Sequence, residues 1–456
     1  MNNQLISISE QKVFFKKGAT RDLNFRKSQL KLLQKLLVNY EDQLLEALFK
    51  DLGKSPFEAY ATEIGLLFVE IKKHLRKLKY WSQPHYISSP LTAFPSKSYV
   101  EFIPYGVSLI ISPWNYPVQL ALAPLIGAIS AGNCAVIKPS EYSSNTSAVL
   151  EEMINSNFDP DYIRLVQGDA QTSKQLLAEP FDFIFFTGST HVGKEVMKAA
   201  AKQLIPVVLE LGGKSPCVVD QTANIEQAAR RIIWGKTINA GQTCIAPDYM
   251  LVHEKVRDRL VDAMKQEIAR QWGTSAITNE DYPKIIGKPQ FERLLQLMQE
   301  QKILHGGNSS ASSLKIEPTL LEPASQAETV MQEEIFGPIL PVISFSDIPQ
   351  ALNLIDKNPN PLAMYLFAKD KEFIKTIKSN VLCGGITIND TIMHFSNDEM
   401  PFGGAGNSGI GNYHGRYSFE AFSHQRAVMK RGTWLDIDFR YPPFYSKFNL
   451  IKKIFR

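Results

Sequence analysis

The sequence predicts an α/β protein built on a doubly wound parallel sheet, with a second α/β unit after it. From residue 107 onward, short apolar runs alternate with segments of helix length, and this alternation restarts after the double glycine 212–213. Such alternation is typical of βαβ units, whose parallel sheets bind ligands beyond the carboxyl ends of their strands. The length of 456 residues also exceeds the size at which a single hydrophobic core normally stops growing.

The residues before this sheet are predicted to be mainly helical. Within residues 22–49, leucines recur at intervals of three and four, and residues 62–78 continue the pattern. Prolines at positions 84, 90 and 95 then end the helical region. The run 98–103 alternates between apolar and polar side chains, which predicts a strand.

The strands of the two sheets are predicted from their apolar runs. Those of the first sheet lie at 107–111, 134–137, 163–166, 183–186 and 207–209, with helices beginning near residues 118, 144, 171 and 191. Those of the second lie at 217–219, 250–253, 339–344, 364–367 and 386–389, with helices at 225–238, from 255, and near 349 and 371. From about residue 420 the chain is expected to be extended and to end in a basic tail.

Composition excludes several classes of protein. The formal net charge of +4, from 50 basic and 46 acidic residues, is too balanced for a nucleic-acid-binding surface. The four cysteines form no CxxC pair, and none of the eight histidines lies at zinc-ligand spacing from another histidine or a cysteine, so neither a metal site nor a disulfide scaffold is expected. The first 17 residues lack the apolar region of a secretory signal, which predicts a cytoplasmic protein.

One uncharged stretch, residues 102–137, is long enough to cross a bilayer. It contains four prolines, at positions 104, 113, 117 and 124. Uncharged strands and helices are ordinary inside a parallel sheet that is covered on both faces. We therefore interpret this stretch as buried strands and a helix.

Seven motifs follow one another along the chain. They are Pro113-Trp114-Asn115-Tyr116-Pro117, Lys138-Pro139-Ser140-Glu141, Phe186-Thr187-Gly188-Ser189-Thr190, Glu210-Leu211-Gly212-Gly213-Lys214, Gly241-Gln242-Thr243-Cys244, Glu334-Ile335-Phe336-Gly337-Pro338 and Pro401-Phe402-Gly403-Gly404. This series resembles the NAD(P)-dependent aldehyde dehydrogenase superfamily from about residue 100 to 425. The short sequence before the first motif, and the Ile-Ala-Pro-Asp-Tyr that follows Cys244, resemble the class 3-like branch.

The resemblance implies a division into domains. A dinucleotide-binding domain is expected at 1–82 and 105–210, and a catalytic domain at 211–400. Residues 83–104 and 420–440 would supply a small β oligomerisation element of a homodimer, and 441–456 would form a basic aromatic tail. A cleft between the two large domains is a common place for catalysis.

Three residues are predicted to carry the chemistry. Cys244 would attack an aldehyde as a thiolate, which a helix N-terminus or a nearby positive charge could favour. By resemblance, the Asn115 side-chain amide and the Cys244 backbone N–H would hold the oxyanion, and Glu210 would activate the water that hydrolyses the thioester. The alternative, purely structural interpretations are a turn residue for Asn115, and a strand end and turn for Glu210. The other cysteines, at 134, 217 and 383, are interpreted as small buried hydrophobic residues.

The cofactor site lacks the usual G-x-G-x-x-G fingerprint. Residues 188–193 instead join a predicted strand to a helix, so Gly188, Ser189 and Gly193 suit a pyrophosphate held on backbone N–H groups. The same segment resembles part of a P-loop, but Glu195 stands where Ser or Thr should bind magnesium, which argues against nucleotide hydrolysis.

The resemblance assigns the rest of the cofactor contacts. Lys138 and Glu141 would bind the adenosine ribose, Glu334 the nicotinamide ribose, and Phe336 and Trp114 would pack nearby. A carboxylate at 141 should favour NAD because it repels the 2′-phosphate of NADP, although class 3-like enzymes often accept both. A solvated surface lysine is the alternative for Lys138.

Substrate and location are the least determined features. Tyr116, His394 and Phe402 are expected to line a channel for medium-chain, long-chain or aromatic aldehydes. The tail, 440–456, mixes apolar and aromatic residues with five basic ones and no acid, which suits either packing against protein or peripheral contact with an anionic membrane. An acyl-CoA-forming enzyme, which would lack the carboxylate of Glu210, and a non-catalytic binding protein are the rival interpretations.

Overall fold

A computed structural model describes residues 8–325 and 327–455 of the chain. Residues 1–7 of the predicted dinucleotide-binding domain and Arg456 of the predicted tail therefore lie outside the described residues.

The described residues form four β-sheets. The strands are β1 His85–Ile87, β2 Ser96–Pro104, β3 Val107–Ile111, β4 Cys134–Lys138, β5 Ile163–Leu165, β6 Phe183–Thr187, β7 Val207–Glu210, β8 Pro216–Val219, β9 Tyr249–His253, β10 Lys302–His305, β11 Ser309–Ser310, β12 Lys315–Ile316, β13 Thr319–Glu322, β14 Ile339–Phe345, β15 Ala363–Phe367, β16 Gly385–Ile388, β17 Gly409–Ile410 and β18 Ser423–Arg431.

Helices cover the faces of the large sheets and precede them. The α-helices are α1 Ser9–Lys17, α2 Leu23–Asn39, α3 Glu41–Leu52, α4 Pro56–Ala59, α5 Gly65–Trp81, α6 Gln119–Ala131, α7 Ser144–Asn155, α8 Ala170–Ala178, α9 Thr190–Ala201, α10 Ile225–Thr237, α11 Arg257–Trp272, α12 Lys288–Met298, α13 Thr329–Gln332, α14 Ile348–Ile355, α15 Lys371–Asn380, α16 Arg416–Ala421 and α17 Phe448–Ile454. A π-helical turn, Tyr60–Ile64, joins α4 to α5.

The first large sheet has the order β17-β7-β6-β3-β4-β5, in which β3 to β7 run parallel and β17 is antiparallel at one edge. The strand order changes direction at β3, which pairs with both β4 and β6. Such a switch point opens a crevice at the carboxyl ends of the strands. The uncharged stretch 102–137 supplies β3, the wholly buried helix α6 and β4, as the interpretation of buried strands and a helix requires.

The second large sheet has the order β10-β13-β14-β9-β8-β15-β16, with β10 antiparallel and the other strands parallel. All of its strands lie between residues 216 and 388. The predicted α/β fold with two parallel sheets is therefore confirmed. The predicted division into domains stays a prediction; β17, which belongs to the first large sheet, lies outside the range 105–210 that was predicted for the dinucleotide-binding domain.

A smaller antiparallel sheet, β1-β2-β18, pairs residues 96–104 with 423–431 along their whole length. After it, the chain ends in the short helix α17, and most of the apolar side chains of this region are exposed, including Trp434, Tyr445 and Phe455. Within residues 8–325 and 327–455, no helix combines the length and apolar character that a membrane span requires.

The region 22–49, predicted to be helical, consists of two helices. α2 ends and α3 begins at Tyr40, whose backbone leaves the helical region with φ −103° and ψ 7°. Glu41 and Asp42 then occupy the first turn of α3, where acidic side chains interact favourably with the helix dipole. The leucine pattern continues across the break, so the hydrophobic period alone did not reveal it.

Candidate active site

A cavity of about 770 Å³ lies between the two large sheets. Its wall includes the loops that follow β3, β6 and β7 and the loop that precedes β9. These loops bring together Asn115, Glu210 and Cys244, which are distant in sequence and which all line the cavity. The carboxyl ends of the parallel strands thus converge where the sequence predicted.

Cys244 lies in the irregular loop between the 3₁₀ turn Ile238–Gly241 and β9. Burial and the nearby carboxyl groups of Glu334 and Glu210 raise the pKa of its thiol to about 12, while backbone N–H groups of Cys244 and Ile245 oppose the rise. The expectation that a helix N-terminus or a positive charge lowers this pKa is wrong for the protein without cofactor or substrate. The loop is not helical, and the charges that raise this pKa are those of the Glu334 and Glu210 carboxyl groups.

The other cysteines differ in burial. Cys134 and Cys217 are fully buried, as expected, whereas Cys383 is only partly buried. Burial raises the pKa of all three thiols, and none of them lines the part of the cavity wall that the structure describes.

Glu210 is the last residue of β7, and its side chain is 3% exposed. Within the described part of the chain, neither carboxylate oxygen has a hydrogen-bond partner. Burial therefore raises the pKa of this carboxyl well above its ordinary range. Its backbone is fixed by the antiparallel pairing of Glu210 with Gly409 of β17.

Asn115 follows β3, and its side chain is held in one orientation. Its Nδ2 donates to the carbonyl of Gln242, 3.0 Å away, two residues before Cys244. An amide nitrogen carries two N–H donors, so one donor remains for a ligand. The predicted oxyanion donor thus touches the loop of the predicted nucleophile.

A buried ion pair, which the sequence analysis did not predict, holds the segment that begins at Asn115 in place. Lys54 Nζ donates to Glu63 Oε1 at 2.6 Å and to the Asn115 carbonyl at 3.0 Å. Glu63 Oε2 accepts the N–H groups of Val118 and Gln119 at 2.8 and 3.3 Å. Both side chains of the pair are 0% exposed. The sequence does not reveal that Lys54 is buried, because lysine side chains are rarely buried in proteins.

The predicted pyrophosphate segment joins β6 to α9. Gly188 and Ser189 line the cavity, and Ser189 caps α9 by accepting the N–H of Val192. A Cβ at Gly193 would lie 2.4 Å from a methyl carbon of Leu211, so glycine lets α9 pack closely on the chain that follows β7. The backbone N–H groups at the start of this helix are suited to bind phosphate.

Lys138 ends β4 and is almost fully buried, which excludes a freely solvated lysine. Its Nζ lies 2.9 Å from Glu141 Oε2. The two predicted adenosine-ribose ligands are thus adjacent, at the carboxyl end of the strand beside β3.

Glu334 and Phe336 reach the cavity from the second unit. Burial and Asp248 raise the pKa of Glu334 to about 8, against hydrogen bonding by the Gly213 N–H. A Cβ on Gly212 would come within 2.0 Å of Glu334 Oε2, so the double glycine makes room for this carboxyl. The ring of Phe336 meets that of Trp114 edge to face, with centroids 5.3 Å apart.

The predicted substrate residues divide into two groups. Tyr116 and Phe402 line the cavity, and the Tyr116 hydroxyl lies 2.6 Å from Thr243 Oγ1. The third predicted residue, His394, does not belong to the described cavity wall, so that prediction is corrected. Its ring stacks with Phe402 (centroids 6.1 Å apart) and its Nδ1 lies 2.9 Å from Thr387 Oγ1, while Met393 and Phe395 flank it in the described wall.

Several wall residues were not predicted. They include Glu58, Thr62, Leu66, Trp234, Gln271, Trp272, Asp281, Phe395 and Tyr413. Only Phe395, which adjoins His394, was near a motif; the others come from helices and loops whose place beside Cys244 depends on tertiary packing.

Comparison with known proteins identifies the family. The model of the aldehyde dehydrogenase family matches residues 8–428. The chain belongs to the aldehyde dehydrogenase family. It is 45% identical over 449 residues to the 4,4'-diaponeurosporen-aldehyde dehydrogenase of Staphylococcus aureus, covering 98% of each chain. It is 42% identical to the rat aldehyde dehydrogenase family 3 member A2, covering 96% of this chain and 92% of the relative.

A solved structure described as the substrate-bound state of Staphylococcus aureus AldH matches the fold with a TM-score of 0.98, at 45% identity and over 100% of both chains. The predicted family, including its class 3-like branch, is therefore confirmed. The protein is an oxidoreductase that acts on aldehydes, and this family uses NAD(P) as hydride acceptor. The N-terminus of α9, buried Lys138 and the Gly212–Glu334 contact fit such a dinucleotide.

Proposed function

We propose that the protein oxidises medium-chain, long-chain or aromatic aldehydes to free carboxylic acids through a thioester on Cys244. The observation that carries this proposal is the cavity in which Cys244, Glu210 and Asn115 meet. NAD(P), when bound, would supply the hydride acceptor, and the protein residues supply the nucleophile, the oxyanion donors and the base.

Cys244 first loses its thiol proton to solvent. Attack by the thiolate Sγ on the aldehyde carbon then forms a C–S bond and, as the carbonyl π bond breaks, a thiohemiacetal oxyanion. The free N–H of Asn115 and the backbone N–H of Cys244 are the proposed donors to that oxygen. Loss of hydride from the same carbon then restores the carbonyl and leaves a thioester.

Glu210 is proposed to take a proton from the water that attacks this thioester. The C–S bond breaks, the acid leaves, and the proton returns to the Cys244 sulfur. A raised pKa and the lack of a hydrogen-bond partner among the described residues leave the carboxyl available for this exchange. An acyl-CoA product, the rival proposal, would not need this carboxyl.

The cavity wall supports an apolar substrate. It carries five aromatic side chains beyond the predicted ones, together with leucine and isoleucine residues; the five are Phe57, Trp234, Trp272, Phe395 and Tyr413. The name of the relative from Staphylococcus aureus specifies a diaponeurosporen aldehyde. That name favours long apolar aldehydes for this chain also.

We also propose a cytoplasmic homodimer that joins through the β1-β2-β18 sheet, in which Tyr86 and Ile87 are largely exposed. Light scattering that returned the monomer mass would refute the dimer. The exposed aromatic side chains and the lysines of α17 suit peripheral contact with an anionic membrane. Deleting residues 441–456 should then lower partitioning onto anionic liposomes, and unchanged partitioning would refute this contact.

The first experiment mixes the purified protein with NAD or NADP and a panel of short, long and aromatic aldehydes, without CoA. Reduced cofactor is followed at 340 nm beside a Cys244→Ala control. We expect turnover in the wild type alone, with free acid as the product. Turnover that appears only after CoA is added would instead support the acyl-CoA-forming function.

A further inference from the structure

The cavity wall is acidic, although it is mainly apolar. Four carboxyl side chains line it: Glu58, Glu210, Asp281 and Glu334. No lysine, arginine or histidine belongs to the wall within residues 8–325 and 327–455. The mechanism and the cofactor account for Glu210 and Glu334 but leave Glu58 and Asp281 without a role.

Glu58 is the better placed of these two. It lies on the short helix α4, and its Oε1 accepts the backbone N–H of Asn239 at 2.7 Å. Asn239 belongs to the 3₁₀ turn Ile238–Gly241 that directly precedes the loop of Cys244, so the carboxyl is anchored beside the nucleophile's loop. Asp281 is exposed, and solvent screens its charge more strongly.

The charge of Glu58 is not neutralised by its neighbours. Lys54, whose positive charge acts on Glu58, already pairs with Glu63 at 2.6 Å. The groups that act on Glu58 are therefore one cation, Lys54, and two acids, Glu63 and Asp281. Burial is the largest effect and raises the pKa of Glu58 to about 7.

We propose that Glu58 is a specificity-determining residue that excludes aldehydes with an anionic group at the far end. This inference rests on the proposed function, because it concerns the aldehyde cavity. Neutral aldehydes enter an apolar channel, whereas a distal carboxylate or phosphate would leave water and meet the Glu58 carboxylate. Like charges in a partly dehydrated site repel far more strongly than in bulk water.

Glu58→Gln is the discriminating variant. A glutamine side-chain oxygen can still accept the N–H of Asn239, so the variant removes the charge and retains the contact. A matched control is Glu46→Gln, which removes the same charge from the solvent-exposed face of α3.

Turnover of hexanal and of 6-oxohexanoate is compared in the three proteins. We expect the wild type to prefer hexanal, and Glu58→Gln to reduce the ratio of the two kcat/KM values by about tenfold, mainly through the KM of the anionic aldehyde. In Glu46→Gln, the kcat/KM values of both substrates should change by less than about twofold. Equal kcat/KM for the two aldehydes in the wild type, or an unchanged ratio in Glu58→Gln, would overturn the proposal.

The discrimination should also depend on pH. The titratable and charged groups that face Glu58 are Lys54, Glu63, Tyr116, Asp281 and Tyr282. Since Glu58 becomes charged as the pH rises through about 7, the preference for hexanal should increase between pH 6 and 8 in the wild type. The Glu58→Gln protein should lack this increase.

A second measurement does not need turnover. N-hexylmaleimide and 6-maleimidohexanoate both alkylate thiols, and peptide mass spectrometry separates Cys244 from Cys383. In the wild type, the anionic reagent should label Cys244 more slowly than the neutral reagent does. In Glu58→Gln, most of this difference in labelling rate should disappear. If hexanal does not react but this difference in labelling is observed, the proposed function is wrong and the selection against anionic groups is supported. If both reagents label the wild type equally fast, the selection against anionic groups is refuted.

Discussion

Two buried glutamates near the same cavity have opposite surroundings. Glu63 is 0% exposed and is saturated by Lys54 Nζ and by two backbone N–H groups at the start of the α6 segment. Glu210 is 3% exposed and, within the described chain, neither of its oxygens has a partner. Burial raises the pKa of Glu210 well above its usual range.

The difference separates a structural acid from a reactive one. A buried charge is tolerated when hydrogen bonds and an opposite charge replace water, and Glu63 meets this condition. An unpaired buried carboxyl costs stability, and such strained groups concentrate at functional sites. Glu63 thus holds Lys54 and the backbone at Val118 and Gln119 in place, whereas Glu210 is free to accept a proton.

The largest effect should come from Glu210→Gln. Loss of the proposed base should slow turnover to acid by about 10²–10⁴-fold, because water attack on the thioester then lacks its proton acceptor. The first hydride transfer does not require this base, so a burst of reduced cofactor and an acyl adduct on Cys244 should remain. Rapid mixing at 340 nm and intact-protein mass spectrometry measure both.

Glu63→Gln is the matched control for this comparison, because it changes the other buried glutamate in the same way. It should not accumulate acyl-enzyme. Full steady-state turnover in Glu210→Gln would contradict the role of this residue as base.

The next effect concerns stability and the Lys54–Glu63 pair. Lys54→Met should lower the free energy of unfolding by about 3–5 kcal/mol, because it leaves Glu63 charged and buried without its cation. The double variant Lys54→Met/Glu63→Leu should recover part of this loss, since no buried charge then remains. Urea denaturation followed by fluorescence gives both values; a single variant as stable as wild type would show that the pair does not fix this region.

The sequence predicted best the residues that end strands. Lys138 and Glu210 end β4 and β7, and the rule for parallel sheets places such ends together at the switch point. Motifs beside them located Asn115, Gly188 and Cys244, which the cavity brings together.

Other features depend on contacts that the sequence does not encode locally. Lys54 precedes Asn115 by 61 positions, and only the packing of the N-terminal helices against α6 brings them together. The strand β17 has two residues, too few for a periodic signal. The ring of His394 stacks on Phe402 and its Nδ1 contacts Thr387, and His394 does not belong to the described cavity wall, which residue type could not reveal.

The smallest effect is a pH dependence of stability that should distinguish the two glutamates. The pKa of Glu210 is higher in the folded protein than in an unfolded chain, where a glutamate titrates near about 4.3. The folded state therefore binds this proton more tightly, and its contribution to stability is present below about pH 4.3 and is lost as the pH rises towards the folded pKa. Glu210→Gln should thus gain stability relative to wild type as the pH increases, whereas Glu63→Gln, which loses a paired charge, should be the less stable protein at pH 8. Urea midpoints between pH 5 and 8 measure this contrast, and parallel curves for wild type and Glu210→Gln would mean that Glu210 is solvated in solution.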